Sequence, residues 1–187
     1  LMDKEKKPNL SAPPSEKGLV MIFTGDGKGK TSAALGVALR ALGHKMRVHV
    51  VYFMKGDYPY GERESLARFP NCDISIFGRD CFVDPRNVEP EDKEEARKGL
   101  EKARDVIQSG DCDVVILDEI NVAVSWKLLD VNDVLDLIKN KPEKVVLILT
   151  GRYAERRLIE AADLVTEMTR IKHPYDKGVL SQRGIDY

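Results

Sequence analysis

Cysteine is scarce, and its spacing excludes two kinds of scaffold. Cys72, Cys81 and Cys112 are the only three, and none forms a CxxC pair. Neither a disulfide framework nor a zinc knuckle is expected, and a reducing compartment is the simplest setting. Long apolar runs are missing too: nothing approaches the roughly 20 residues that cross a bilayer. The N-terminal stretch carries lysine and proline where a signal peptide would carry an apolar segment. A cytoplasmic location, with no membrane partner, is therefore the expectation. No single sign of charge dominates, since 30 basic side chains face 31 acidic ones for a net charge of -1. That balance lacks the global basic field of a nucleic-acid binder, so no nucleic-acid partner is expected. There is no Ser/His/Asp spacing, no HxxxH pair, no catalytic-cysteine setting and no recognisable kinase-type base. One tryptophan is present, Trp126, for which a core or rim position is the safer reading.

What is there is the balance of a soluble globular chain, 42% hydrophobic and 33% charged over 187 residues. That length favours one domain and buries a core without staples or metal. Residues 1–17 combine Lys4, Glu5, Lys6 and Lys7 with Pro8, Pro13 and Pro14, a composition that buries too little to order itself. They are expected to form a flexible tail, or an arm that orders on a ligand or subunit, ahead of one domain over 18–187. From Gly18 onward, short apolar runs alternate with helical stretches. Strands are predicted over 19–24, 47–53, 73–77, 114–117, 145–149 and 164–171. Helices are predicted over 31–42, 61–69, 90–108, 131–139 and 154–162, with Gly43, Gly110 and Pro142 as stops. Apolar strands separated by helices imply a mostly parallel sheet covered on both faces. Ligands in such sheets bind beyond the carboxyl ends of the strands, where the motifs fall.

The first motif is Gly25-Asp26-Gly27-Lys28-Gly29-Lys30-Thr31, between a buried strand and a helix. Glycines let several backbone N–H groups converge on one anion, and the helix adds its positive end. Lys30 can reach the phosphates of ATP, and Thr31 offers a hydroxyl to Mg²⁺. The usual pattern is G-x-x-x-x-G-K-[ST], and the residue five before Gly29 is Thr24, so the loop stands one residue out of the standard spacing. The second motif ends the run 114–117 with Asp118-Glu119, two carboxylates on the same sheet edge, suited to hold Mg²⁺ directly or through water. Strand alternation sends them to different sides and hence to different tasks. The third is Thr150-Gly151-Arg152, which brings a guanidinium to that edge, suited to phosphate or carboxylate. Lys55-Gly56 and Lys172-His173-Pro174 are weaker candidates.

Four segments resemble the P-loop class of ATP:corrinoid adenosyltransferases. They are residues 24–34, Leu117-Asp118-Glu119-Ile120-Asn121, Thr150-Gly151-Arg152, and the C-terminal stretch through Lys172-His173-Pro174-Tyr175 to Gln182-Arg183-Gly184-Ile185-Asp186-Tyr187. The likeness runs in order over about 18–187. It implies an α/β P-loop NTPase (RecA-like) three-layer sandwich. It further implies transfer of the 5′-deoxyadenosyl group of ATP to the Co(I) centre of a corrinoid, with triphosphate leaving. The nucleophile is then the substrate's metal, so no activated side chain is required. The resemblance assigns triphosphate binding to Gly25 through Thr31 with Ser32, Mg²⁺ to Thr31 and Glu119, and a supporting place at the metal to Asp118. It sets Arg40 and Arg152 near the nucleotide. Corrinoid contact falls in 77–83, where the family often has Gly-Phe-Thr-Trp; this chain lacks the Trp, and Phe82 stands as its substitute. A reductant or flavoprotein supplying Co(I), a homodimer, and an N-terminal lid over the site are implied as well. Two other classes remain open from the residues alone: a small-molecule kinase forming ADP, and a binding module that holds nucleotide or corrinoid without turnover. A RecA-like nucleic-acid motor is disfavoured by size and charge.

Overall fold

The computed structural model describes residues 17–81 and 83–187. Residues 1–16, which hold nearly all of the expected tail, and Phe82 lie outside the described residues. Six strands form one sheet: β1 (Val20–Thr24), β2 (Val48–Tyr52), β3 (Cys72–Ile76), β4 (Val114–Asp118), β5 (Val146–Thr150) and β6 (Leu164–Glu167). Their order is β3-β2-β4-β5-β1-β6, and every pairing is parallel. The expected mostly parallel sheet is thus parallel throughout the described residues. β5 separates the strand that carries the glycine-rich loop from the strand that carries the two carboxylates.

The helices are α1 (Lys30–Gly43), α2 (Gly61–Leu66), α3 (Pro90–Ser109), α4 (Ile120–Ser125), α5 (Val131–Asn140) and α6 (Arg156–Ala161). Strand alternation divides the core into two sets. Val50, Tyr52, Val114, Ile116 and Ile148 face one way and pack with Ala34, Ala38, Ala41 and Leu42 of α1 and Leu66 of α2. Val51, Val115, Leu117, Leu147 and Leu149 face the other way, against α3, α4, α5 and α6. This makes the three layers. On α1 the alanines fall at i, i+4 and i+7, one helical face, and their small size lets the helix approach the sheet closely. α3 starts where Pro90 sits at its first turn, with Glu89 and Asp92 forming a reciprocal cap, and stops at Gly110 with φ 68°.

Two elements differ from expectation. α4 begins directly after Glu119, where the alternating Ile120, Val122 and Val124 carry no helical signature; all three are buried. β6 ends at Glu167 rather than 171, because among the described residues it pairs only with β1 and the residues after Met168 are mostly exposed. Among the described residues, no helix is long and apolar enough to cross a membrane.

Candidate active site

The loop between β1 and α1 is shaped by what lies behind it. Met168 N–H donates to Thr24 O at 2.8 Å, and Gly27 N–H donates to Met168 O at 2.7 Å. A Cβ on Gly25 or Gly27 would stand 2.5 or 2.7 Å from that same Met168 oxygen. Both glycines are therefore required by the backbone leaving β6. Gly29 is different: it meets nothing within 4 Å and has φ 108°, the turn that starts α1. Thr24, at the position where the usual motif has glycine, is a buried strand end whose Oγ1 accepts from Ala154 N–H at 3.2 Å. The unusual spacing follows from this: the strand runs one residue further before the loop turns.

Lys30 folds back across the loop, donating to Gly25 O at 2.9 Å and Gly27 O at 2.6 Å. Burial pulls its ammonium pKa down, an effect that the negative charge of Glu119 opposes. Thr31 Oγ1 donates to Asp118 Oδ1 at 2.9 Å, and Thr150 Oγ1 donates to the same oxygen at 2.7 Å. Lys55 Nζ, 2.5 Å away, occupies Asp118 Oδ2. Asp118 is fully buried. Thr150 Oγ1 also accepts from Glu119 N–H at 3.0 Å, tying both carboxylate residues to β5. Glu119 leaves the strand with φ 66°. Burial raises its carboxyl pKa, and the neighbouring Asp118 charge adds to the rise. The Thr31 hydroxyl and the Asp118 and Glu119 carboxylates are oxygens of the kind Mg²⁺ accepts alongside phosphate, so they fit that ion. Among the described residues there is no cluster of three or more His, Cys, Asp or Glu for a metal held by protein alone.

Two cavities open on this edge. The larger, of about 580 Å³, is walled by Thr31, Ser32, Leu35, Tyr60, Glu62 and Tyr187 among others. The smaller, of about 190 Å³, lies between 54–60 and 79–81. Those two loops touch: Asp57 N–H donates to the Asp80 side chain at Oδ1, 2.8 Å away, and a Cβ on Gly56 would meet the backbone Arg79 O at 2.4 Å. Arg79 is fixed by a two-pronged bond to buried Asp92, at 2.7 and 2.9 Å. The C-terminal turn reaches the same place. Asp186 pairs with Lys28, and the Tyr187 ring lies edge-on to Tyr58 at 5.1 Å.

A family model described as ATP:corrinoid adenosyltransferase BtuR/CobO/CobP matches residues 16–187. The chain belongs to that adenosyltransferase family. It is 37% identical over 172 residues to the corrinoid adenosyltransferase of Escherichia coli K12, covering 92% of this chain and 87% of that one. It is 39% identical over 175 residues to the corrinoid adenosyltransferase of Sinorhizobium sp, covering 92% and 81%. Corrinoid adenosyltransferase CobA of Salmonella typhimurium is 35% identical over 172 residues, covering 92% and 87%.

At this sheet edge, Gly25, Gly27, Gly29, Lys30, Thr31, Asp118 and Glu119 come together. Arg152 follows Gly151, whose φ is 125°, and its charge acts on Lys30 and Glu119. Asp26, Lys28 and Ser32 are exposed on the loop and the first turn of α1. Arg40 does not join them: it is exposed in the last turn of α1, about 15 Å along the axis from Lys30. The Phe82 assignment lies outside the described residues. His173 caps its own turn, its Nδ1 accepting from Tyr175 N–H at 3.1 Å. Its pKa is lowered by desolvation and by the cations Arg170, Lys28, Arg152 and Lys30. Two contributors were named without their role: Thr150 stood in the third motif only as the lead-in to Arg152, and Lys55 was a weaker candidate whose partner, Asp118, is 63 residues away in sequence.

Proposed function

We propose that this chain transfers the 5′-deoxyadenosyl group of ATP to the Co(I) centre of a corrinoid, either cobalamin or cobyrinic acid a,c-diamide, in adenosylcobalamin biosynthesis or salvage. The assembled cluster of Lys30, Thr31, Asp118 and Glu119 at one sheet edge is the observation that carries the reading. In this reaction the Co(I) electron pair forms the Co–C5′ bond, and the C5′–O bond breaks. The released pair stays on the α-phosphate oxygen of triphosphate, so no side-chain base is needed. What the protein must do is receive that growing negative charge. Loop N–H groups from Gly25 to Ser32, the Lys30 ammonium and the Arg152 guanidinium supply it. Thr31 and Glu119 would hold Mg²⁺, with Asp118 behind them, and the ion would supply further positive charge to the leaving group. The smaller cavity, walled by Tyr58, Tyr60, Arg79 and Cys81, supports contact with a corrinoid on that side. A reductant or flavoprotein supplies Co(I). A homodimer is supported by the exposed apolar side chains Ile171, Tyr175, Leu180 and Ile185.

Incubation with ATP, Mg²⁺ and chemically reduced corrinoid tests the assignment. The expected result is a change in the corrinoid spectrum with one triphosphate released per adenosylcorrinoid formed. ADP and a phosphorylated acceptor would instead identify a kinase, and tight ATP binding with no product would identify a binding module.

A further inference from the structure

The two cavities at the sheet edge share two residues, Lys55 and Tyr60. Lys55 is no mobile surface lysine: its side chain is only 12% exposed. Its ammonium lies 4.8 Å from the centre of the Tyr60 ring and 5.4 Å from that of Tyr52. The backbone that carries it is fastened by Arg63, which donates to Lys55 O, and to Gly56 O at 2.9 Å. Arg63 itself sits over the same two rings, at 5.0 and 4.9 Å. The geometry delivers one cation to one oxygen, Asp118 Oδ2. With Thr31 and Thr150 on Oδ1, each oxygen of Asp118 is engaged, while among the described residues the Glu119 side chain makes no comparable bond.

A buried ion pair is poor evidence of stabilisation, since an apolar pair of like volume does as well. Its charge, however, matters to any ion bound nearby. We propose that Lys55 is the positioning residue that reserves Glu119 for the metal, by neutralising Asp118 and holding it on Thr31. This rests on the reading that Mg²⁺ binds at Thr31 and Glu119. Without Lys55, Asp118 becomes a second free carboxylate at the cation site, and the phosphate site loses a positive charge. The two affinities must then move in opposite directions.

The test uses the full chain, with Mn²⁺ as the probe, measured by the resonance of the free ion. In K55M, Mn²⁺ binding without nucleotide tightens about tenfold or more, and ATP binding in the presence of chelator weakens by a similar factor. K55R keeps the charge and leaves both within about threefold of native. The double variant K55M/D118N has no unpaired buried charge, folds whether or not K55M does, and returns Mn²⁺ affinity to within about threefold of native. Affinities in K55M that stay unchanged, or that both weaken, make Lys55 merely structural and overturn the proposal. So does a double variant that binds Mn²⁺ at least tenfold more weakly than native, because Asp118 is then itself a ligand. A native chain that binds no Mn²⁺ would overturn the metal assignment and the proposal together. Adenosyl transfer, measured separately, reports on the reaction alone.

Discussion

Glu119 shows how one side chain trades stability for a task. Its carboxyl is half-buried beside Asp118, and both the loss of solvent and that neighbouring charge raise its pKa above the ordinary value of 4.5. A folded chain that holds this proton more tightly than the unfolded chain loses stability as pH rises from 4.5 through the raised value. The loss is about 1.4 kcal/mol for each unit by which the pKa is raised. E119Q removes that penalty. Without metal, thermal unfolding of E119Q should occur at higher temperature than native at pH 7–8, with the gap closing towards pH 4. Its adenosyl transfer should fall at least a hundredfold, through loss of a metal ligand. A gap that widens towards low pH would show that Glu119 is stabilised as a carboxylate. The pair Asp118-Glu119 was legible in the sequence because a buried apolar run ends on two acids. Their division of labour was only half legible. Alternation said that they diverge, but the partners of Asp118 come from three other elements, and no local pattern names them.

At the scale of elements, the seam between the loop and the end of β6 decides the loop's path. Gly27 is not in the left-handed region, so alanine there meets no backbone strain of its own; the obstacle is Met168 O at 2.7 Å and Thr169 C at 2.9 Å. Backbone atoms yield poorly. G27A should lower stability by about 1–3 kcal/mol, in chemical unfolding, even without nucleotide. Gly36 lies in the middle of α1 with nothing within 4 Å, so G36A should raise stability by about 0.5–1 kcal/mol. Equal effects of the two substitutions would mean that helix propensity, not the seam, controls this region. The strands and long helices were legible from apolar runs, Pro90, Gly110 and Pro142. The six-residue α4 was not, because its apolar residues alternate as a strand's would. The position of β5 between β1 and β4 was not legible either, since strand order is set by packing between segments far apart in sequence.

Across the whole molecule, three of the five described non-glycine residues with positive φ stand at the carboxyl edge of the sheet. Met54, Glu119 and Tyr153 have φ of 57°, 66° and 61°, and each closely follows a strand, β2, β4 or β5. Such positions cost about 1–3 kcal/mol each, and they persist where the surrounding fold imposes them. The same edge crowds three cations, Lys30, Lys55 and Arg152, and among the described residues Lys30 hydrogen-bonds only to carbonyls of its own loop. The chain is therefore poised to gain from a polyanion. A ligand that binds only the folded state at about 100 times its dissociation constant stabilises by about 2.7 kcal/mol. For a chain of this length that corresponds to a rise of about 5–10 °C in Tm. ATP and inorganic triphosphate, each with Mg²⁺, should both produce it, because the loop holds the leaving group; adenosine at the same concentration should not. If adenosine matched ATP while triphosphate did nothing, the nucleoside would be the anchor, and the glycine-rich loop would no longer explain how the substrate is held.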